Sequence, residues 1–214
     1  MKTFMVILIG FIGVSAIYSQ EKPESPKYAL SFGIAGNFTL DKFNGSIAVK
    51  KILDDTHQIR LYLSPSIGSS KDETDNEAII KKGTHEVLSL SLGVGADYLW
   101  TLLKDDDINM FGGTGLSFTY GYYKDKTVTP NSSGDENISE MRSPSTNLGI
   151  RGILGVEWRV SKKIGIHSEY LLSGFYGWEK TELRSNSLVN PDRTALENRL
   201  SLYSGVLFGV SIYL

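Results

Sequence analysis

The sequence predicts an all-β chain folded as an eight-stranded antiparallel transmembrane β-barrel, an up-and-down meander. Three observations lead there. Eight segments alternate apolar with small or polar residues, the period-two pattern of strands whose successive side chains face opposite ways. The last, Leu200 to Leu214, keeps alternating to the final residue, where an untied chain end frays. The connections alternate between tight turns and long polar loops, the layout of barrels that cross a membrane.

The segments follow in chain order. Residues 1–19 read as a secretory signal: Lys2 gives the positive start, Phe4 to Ile17 the apolar stretch, and Ser15, Ala16 and Ser19 the small residues of a cleavage zone. The apolar stretch is short for a membrane helix, which needs roughly 20 residues. A short segment, 20–26, precedes a barrel domain over 27–214. The first strand, about 27–40, sets Tyr28, Leu30, Phe32, Ile34, Phe38 and Leu40 on one face. The second, about 44–53, sets Ile47 and Val49 out and Ser46, Ala48 and Lys50 in. The third, about 57–68, carries Ile59, Leu61 and Leu63 outside and Arg60, Tyr62 and Ser64 inside. Its Pro65 cannot donate to a ladder.

The fourth strand, about 86–103, has Leu88 to Leu102 at even positions outside and Asp97 among the inner residues. The fifth, about 108–123, points Leu116, Phe118, Tyr120 and Tyr122 outward. The sixth, about 146–160, has Ile150, Leu154 and Trp158 outside and Arg151, Glu157 and Arg159 inside. The seventh, about 164–178, has Tyr170, Tyr176 and Trp178 outside and His167 and Glu169 inside. The turns Asp54–Thr56, Lys104–Asp107 and Ser161–Lys163 are tight, whereas 69–85, 124–145 and 179–196 are long and polar.

Aromatic positions identify the face that meets lipid. If odd strands run outward, Tyr28, Tyr98, Trp100 and Trp158 fall near the inner end, and Phe38, Tyr120, Tyr122, Tyr176 and Trp178 near the outer end. Amphipathic rings settle at both interfaces of a membrane. Ten strand steps from Tyr28 to Phe38, at about 3.3 Å each and tilted near 40°, cover roughly 25 Å, the height of the apolar band.

With this architecture, signal and terminal strand, the chain resembles the small eight-stranded outer-membrane barrels: the OmpA transmembrane domain, OmpX and "porin-like" groups. The resemblance covers 27–214 and implies a Gram-negative outer-membrane location and export by the signal. It also implies two partners, outer-membrane lipid and the β-barrel assembly machinery. In those families an aromatic usually closes the last strand. Here Ile212-Tyr213-Leu214 places it one residue early, on the inward parity.

Composition narrows the chemistry. There is no Cys, hence neither a lipoprotein anchor nor a disulfide framework. With 22 basic and 24 acidic residues the charge balance excludes a nucleic-acid footprint. His57, His85 and His167 lack metal-ligand spacing. Asp72 to Glu77 lacks the glycine of a calcium loop, and Gly93-Val94-Gly95 opens no helix. No metal or cofactor is expected.

The inward charges form the site: Arg60, Asp97, Arg151, Glu157, Arg159, His167 and Glu169. The three-residue turn 161–163 sets Glu157 opposite His167, with Arg159 and Glu169 on the diagonals. A salt-bridge network filling the lumen is the expectation, since unpaired charges are costly in a low dielectric. His167-Ser168-Glu169 has the residue types of a lipid-acyl hydrolase, but the alternation turns His167 and Ser168 to opposite faces. The reading is a non-enzymatic barrel, structural or binding an extracellular ligand or protein through loops 69–85, 124–145 and 179–196. The rivals are a narrow selective channel and a lipid-modifying enzyme.

Overall fold

In the computed structural model the described residues are 26–35, 42–74, 83–130, 135–186 and 192–214. Residues 1–25, which include the expected export signal, Phe38 and the tips of the outer loops lie outside them. Eight strands form: β1 (Tyr28–Ala35), β2 (Lys42–Ile52), β3 (His57–Thr74), β4 (Gly83–Lys104), β5 (Ile108–Pro130), β6 (Glu136–Arg159), β7 (Ile164–Ser185) and β8 (Arg193–Tyr213). Each pairs antiparallel with the next, and β8 closes on β1.

The ring is sheared. Leu30 pairs directly with Ile212 across the β1–β8 seam. Followed the other way, the register runs from Leu30 through Val49, Leu61, Ala96, Leu116, Ile150 and Gly174 to Leu202, ten residues before Ile212 on β8. A stagger of this kind is what closing tilted strands requires. Two irregularities follow local chemistry. Pro65 sits where the β2–β3 register is interrupted, between Asn44↔Ser66 and Ile47↔Leu63. A bulge between Thr101 and Leu103 leaves both Leu102 and Leu103 exposed on the outside of β4.

The two faces differ sharply. Outward residues on every strand are large, apolar and exposed, among them Leu61, Leu116, Ile150 and Phe208. Inward residues are small, charged or buried, among them Ala29, Ser31, Arg60, Glu157 and Ser211. The apolar core among the described residues is only Leu99, Phe111 and Ile153, with Leu171 packed against it. A water-soluble barrel has the opposite arrangement. A closed sheet leaves no open backbone edge in its membrane band and accepts lipid around its apolar wall.

The strands correct one expectation. The segments 69–85, 124–145 and 179–196 are not loops over most of their length. β3 continues to Thr74 and β4 starts at Gly83; β5 reaches Pro130 and β6 starts at Glu136; β7 reaches Ser185 and β8 starts at Arg193. The polar sequence hid this because, beyond the membrane, neither face needs to be apolar, and period-two hydrophobicity disappears. Backbone pairing persists, reinforced by cross-strand charges such as Lys71–Glu86 at 3.7 Å and Lys124–Glu140 at 3.6 Å. Glu140 is also paired with Arg142; despite some desolvation, the Arg142 and Lys124 charges hold its carboxyl below the usual range.

The opposite end is flush, because its turns are short and self-capped. In the β2–β3 turn, Asp54 Oδ1 accepts from Thr56 N at 2.7 Å, Thr56 Oγ1 at 2.7 Å and His57 N at 2.8 Å, an Asx-type closure. The Thr56 hydroxyl, then the Thr56 amide, bring the Asp54 carboxyl down from 3.8 to about 2. The folded value lies below the unfolded one. The cap is therefore fully present above pH 3.8 and is lost as pH falls through about 2. In the folded barrel, the NMR titration of Asp54 is expected to have its midpoint near 2, and Thr56→Val to raise it.

Candidate functional site

The site is the lumen. Period-two alternation points one residue in two inward, and the register brings charged residues from β2, β3, β4, β6 and β7 together in the lumen. Arg60 on β3 lies opposite Asp97 on β4, and Glu157 on β6 opposite His167 on β7. Arg60 Nε donates to Asp97 Oδ2 at 2.8 Å, while its two terminal nitrogens grip Glu169, Nη1 to Oε1 at 2.5 Å and Nη2 to Oε2 at 2.9 Å. Arg151 donates through Nε to Asp97 Oδ1 at 2.6 Å and through Nη2 to Oδ2. Asp97 is thus held between two guanidinium groups. Arg151 also stacks over Tyr62, its Cζ 3.8 Å from the ring centroid.

A second cluster lies nearer the flush end. Lys50 Nζ stands 3.5 Å from Glu157 Oε1 and donates to Ser211 Oγ at 3.0 Å. Tyr213 donates its hydroxyl to Glu157 Oε2 at 2.6 Å. Ser31 and Ser211 share a hydrogen bond of 2.9 Å. His167 bridges the two clusters, with Nδ1 3.3 Å from Ser211 Oγ and Nε2 3.6 Å from Glu169 Oε1. Three cations, Lys50, Arg60 and Arg151, balance three carboxylates, Asp97, Glu157 and Glu169. Lys50, Arg60, Asp97, Glu157 and Glu169 are each at most 4 % exposed. Burial without balance would be very costly, so the charges come as a neutral set.

Arg159 stands apart. It is half-buried, with its guanidinium 4.7 Å over the Tyr213 ring. Lys50, Tyr62, Ser211 and Tyr213 complete the network without having been counted in it from sequence. Each lies on the inward parity, which was the available signal. Outside the barrel, Tyr28, Tyr98 and Trp158 are exposed toward the flush end and Tyr120, Tyr176 and Trp178 toward the other. Trp100 and Tyr122 are half-buried: Trp100 lies against Tyr98 and covers Gly112.

Close packing inside depends on glycine. A Cβ on Gly115 would collide with Asp97 Oδ1 and lie 2.7 Å from the Ala96 carbonyl. Gly115→Ala therefore displaces Asp97 from its two arginines and costs roughly 1–3 kcal/mol, read as a lower urea midpoint in lipid vesicles. Gly152→Ala is the control, because its Cβ has no neighbour closer than 4.0 Å.

The order Ser211–His167–Glu169 superficially matches hydroxyl, base and acid. Ser211 is fully buried, however, its oxygen already accepts from Lys50, and both Glu169 oxygens are taken by Arg60. A nucleophile needs a free base and room for substrate. Ser168 itself faces away from His167, on the outer side of β7.

Apolar outside, carrying a charge-balanced ion-pair network inside, and closed without an edge at its base, the molecule is an eight-stranded transmembrane β-barrel. No family model and no curated protein matches the chain. Among solved structures it is similar to a major outer membrane protein from Thermus thermophilus, at 11 % identity, TM-score 0.44, covering 89 % of this chain and 100 % of that one. It is similar also to Neisserial surface protein A, at 15 % identity, TM-score 0.43, covering 87 % and 93 %. Acinetobacter baumannii CarO2 is similar at 11 % identity, TM-score 0.45, covering 88 % and 98 %.

Proposed function

We propose that the protein is a non-enzymatic scaffold that holds recognition surfaces above the outer leaflet. The observation that carries this reading is the contrast between the two halves of the molecule. Strands β3–β8 run 18 to 24 residues, where a 25 Å band needs only about ten tilted residues. The surplus rises as paired sheet on the outer side, and the lower lumen is occupied by a neutral ion-pair network. Recognition residues on a rigid support are the usual arrangement for binding. Residues 1–19 act as the export signal in this reading. The assembly machinery and outer-membrane lipid are its obligatory partners, and an extracellular ligand or protein meets the hairpins 69–85, 124–145 and 179–196.

The test is cellular. Intact cells expressing the full chain are treated with protease, and fragments are mapped by mass spectrometry. Cleavage confined to the three hairpins, with a protected barrel that migrates differently on gels after heating, supports the scaffold. Recovery in the soluble periplasm overturns it. Stepwise conductance in planar bilayers that vanishes with Glu157→Lys replaces it with a narrow channel.

A further inference from the structure

Above the ion-pair network the lumen is not full. A cavity of about 120 Å³ is lined by the small residues Ser31, Gly33, Gly45 and Ser46 on one side. Arg60, Tyr62, Ser64, Arg151 and Glu169 line the other, and Leu171 and Leu207 add apolar surface. Its β2–β3 wall is where the ladder is interrupted at Pro65. Beyond the cavity's own lining, the inward face of β8 runs on toward the outer end. Leu207, Gly205 and Tyr203 share the inward face of that strand, and a Cβ built on Gly205 meets nothing within 4 Å. Tyr203, 53 % exposed, packs edge-to-face with inward Phe175 at 5.9 Å between ring centroids. Ser117, beside them on β5, has a buried hydroxyl without a well-formed hydrogen bond.

The chemistry of this space is specific. Its guanidinium groups are already neutralised by Asp97 and Glu169, so no excess charge attracts an anion or a cation. What remains on offer is serine and tyrosine hydroxyls and an aromatic pair with one ring half open. Hydroxyl donors and acceptors beside an aromatic face suit a ligand that is polar at its edges and apolar on its faces. We infer that the upper lumen is a binding site for an uncharged sugar ring, seated between the Phe175–Tyr203 pair and the serine-lined cavity. The site lies below the hairpins, so it stands whether or not they recognise a partner.

The test uses the full chain refolded in a non-glycosidic detergent, with glucose and maltose as probes and glucose 6-phosphate as the charged comparison. NMR follows the Gly205 amide and the Tyr203 ring. Saturable shifts at both are expected with at least one neutral sugar, unchanged between low and high salt, with weaker binding of the phosphate. Tyr203→Ala removes an aromatic anchor and weakens binding about tenfold. Gly205→Leu fills the space that the sugar needs and abolishes binding. Because nothing crowds that Cβ, the variant keeps its heat-modifiable gel migration; if it misfolds, Tyr203→Ala alone decides. Absence of saturable shifts with both sugars, tighter binding of the phosphate, or undiminished binding by folded Gly205→Leu or by Tyr203→Ala overturns the inference.

Discussion

Arg60→Ala is expected to destabilise the barrel by roughly 3–5 kcal/mol, the cost of stranding buried charges. Arg60 is 4 % exposed and supplies three hydrogen bonds, one to Asp97 and two to Glu169. Asp97 keeps Arg151 after the change. Among the described residues Glu169 keeps His167, at 3.6 Å, and the more distant charge of Lys50, so its carboxylate bears most of the loss. A second substitution separates the causes. Adding Glu169→Gln to Arg60→Ala removes the stranded charge and recovers part of the stability. If instead the double variant is as unstable as the sum of the singles, lost packing and not lost charge balance explains the effect. Urea titrations in lipid vesicles, followed through Trp100, Trp158 and Trp178, give the comparison.

Leu116→Arg is the second large effect. Leu116 lies mid-strand on the outer face and is 63 % exposed. On a water-facing surface such a change falls within about ±0.5 kcal/mol. At the centre of a lipid-facing band it costs about 2–4 kcal/mol. Thr194→Arg, on the same outward face of β8 but in the extended hairpin, is expected to be silent. A penalty at Leu116 with none at Thr194 marks where the lipid ends. Equal effects at both sites would mean that the exposed apolar face does not meet lipid.

The face of each residue was legible in the sequence because lipid demands apolar side chains at every second position. Ile150 and Arg151, adjacent in sequence, fall on opposite sides of the wall for this reason. The outer halves of β3–β8 were not legible, since stretches such as Lys124 to Pro130 answer to water on both faces and carry no period. The inward charges could be counted, and the Glu157–His167 opposition followed from a three-residue turn. Their partners could not be read. Lys50 on β2 meets Glu157 on β6 across the lumen. That meeting depends on the shear and radius of the closed ring, which no local pattern encodes. The same holds for Tyr213: parity turned it inward, but only the folded barrel sets it against Glu157.

The network also has an order in time. Neighbouring strands are joined by turns and can zip one after another, each with short loop closure. The bonds across the lumen span very different separations: 109 residues from Arg60 to Glu169 and 161 from Lys50 to Ser211. None of these longest bonds can form until the late strands have come round to the early ones. A half-zipped sheet therefore carries three cations and three carboxylates without their full set of partners, and lipid penalises that state. Closure of the seam between β1 and β8 and neutralisation of the interior become one event, which makes the last strand the step that commits the chain to its membrane.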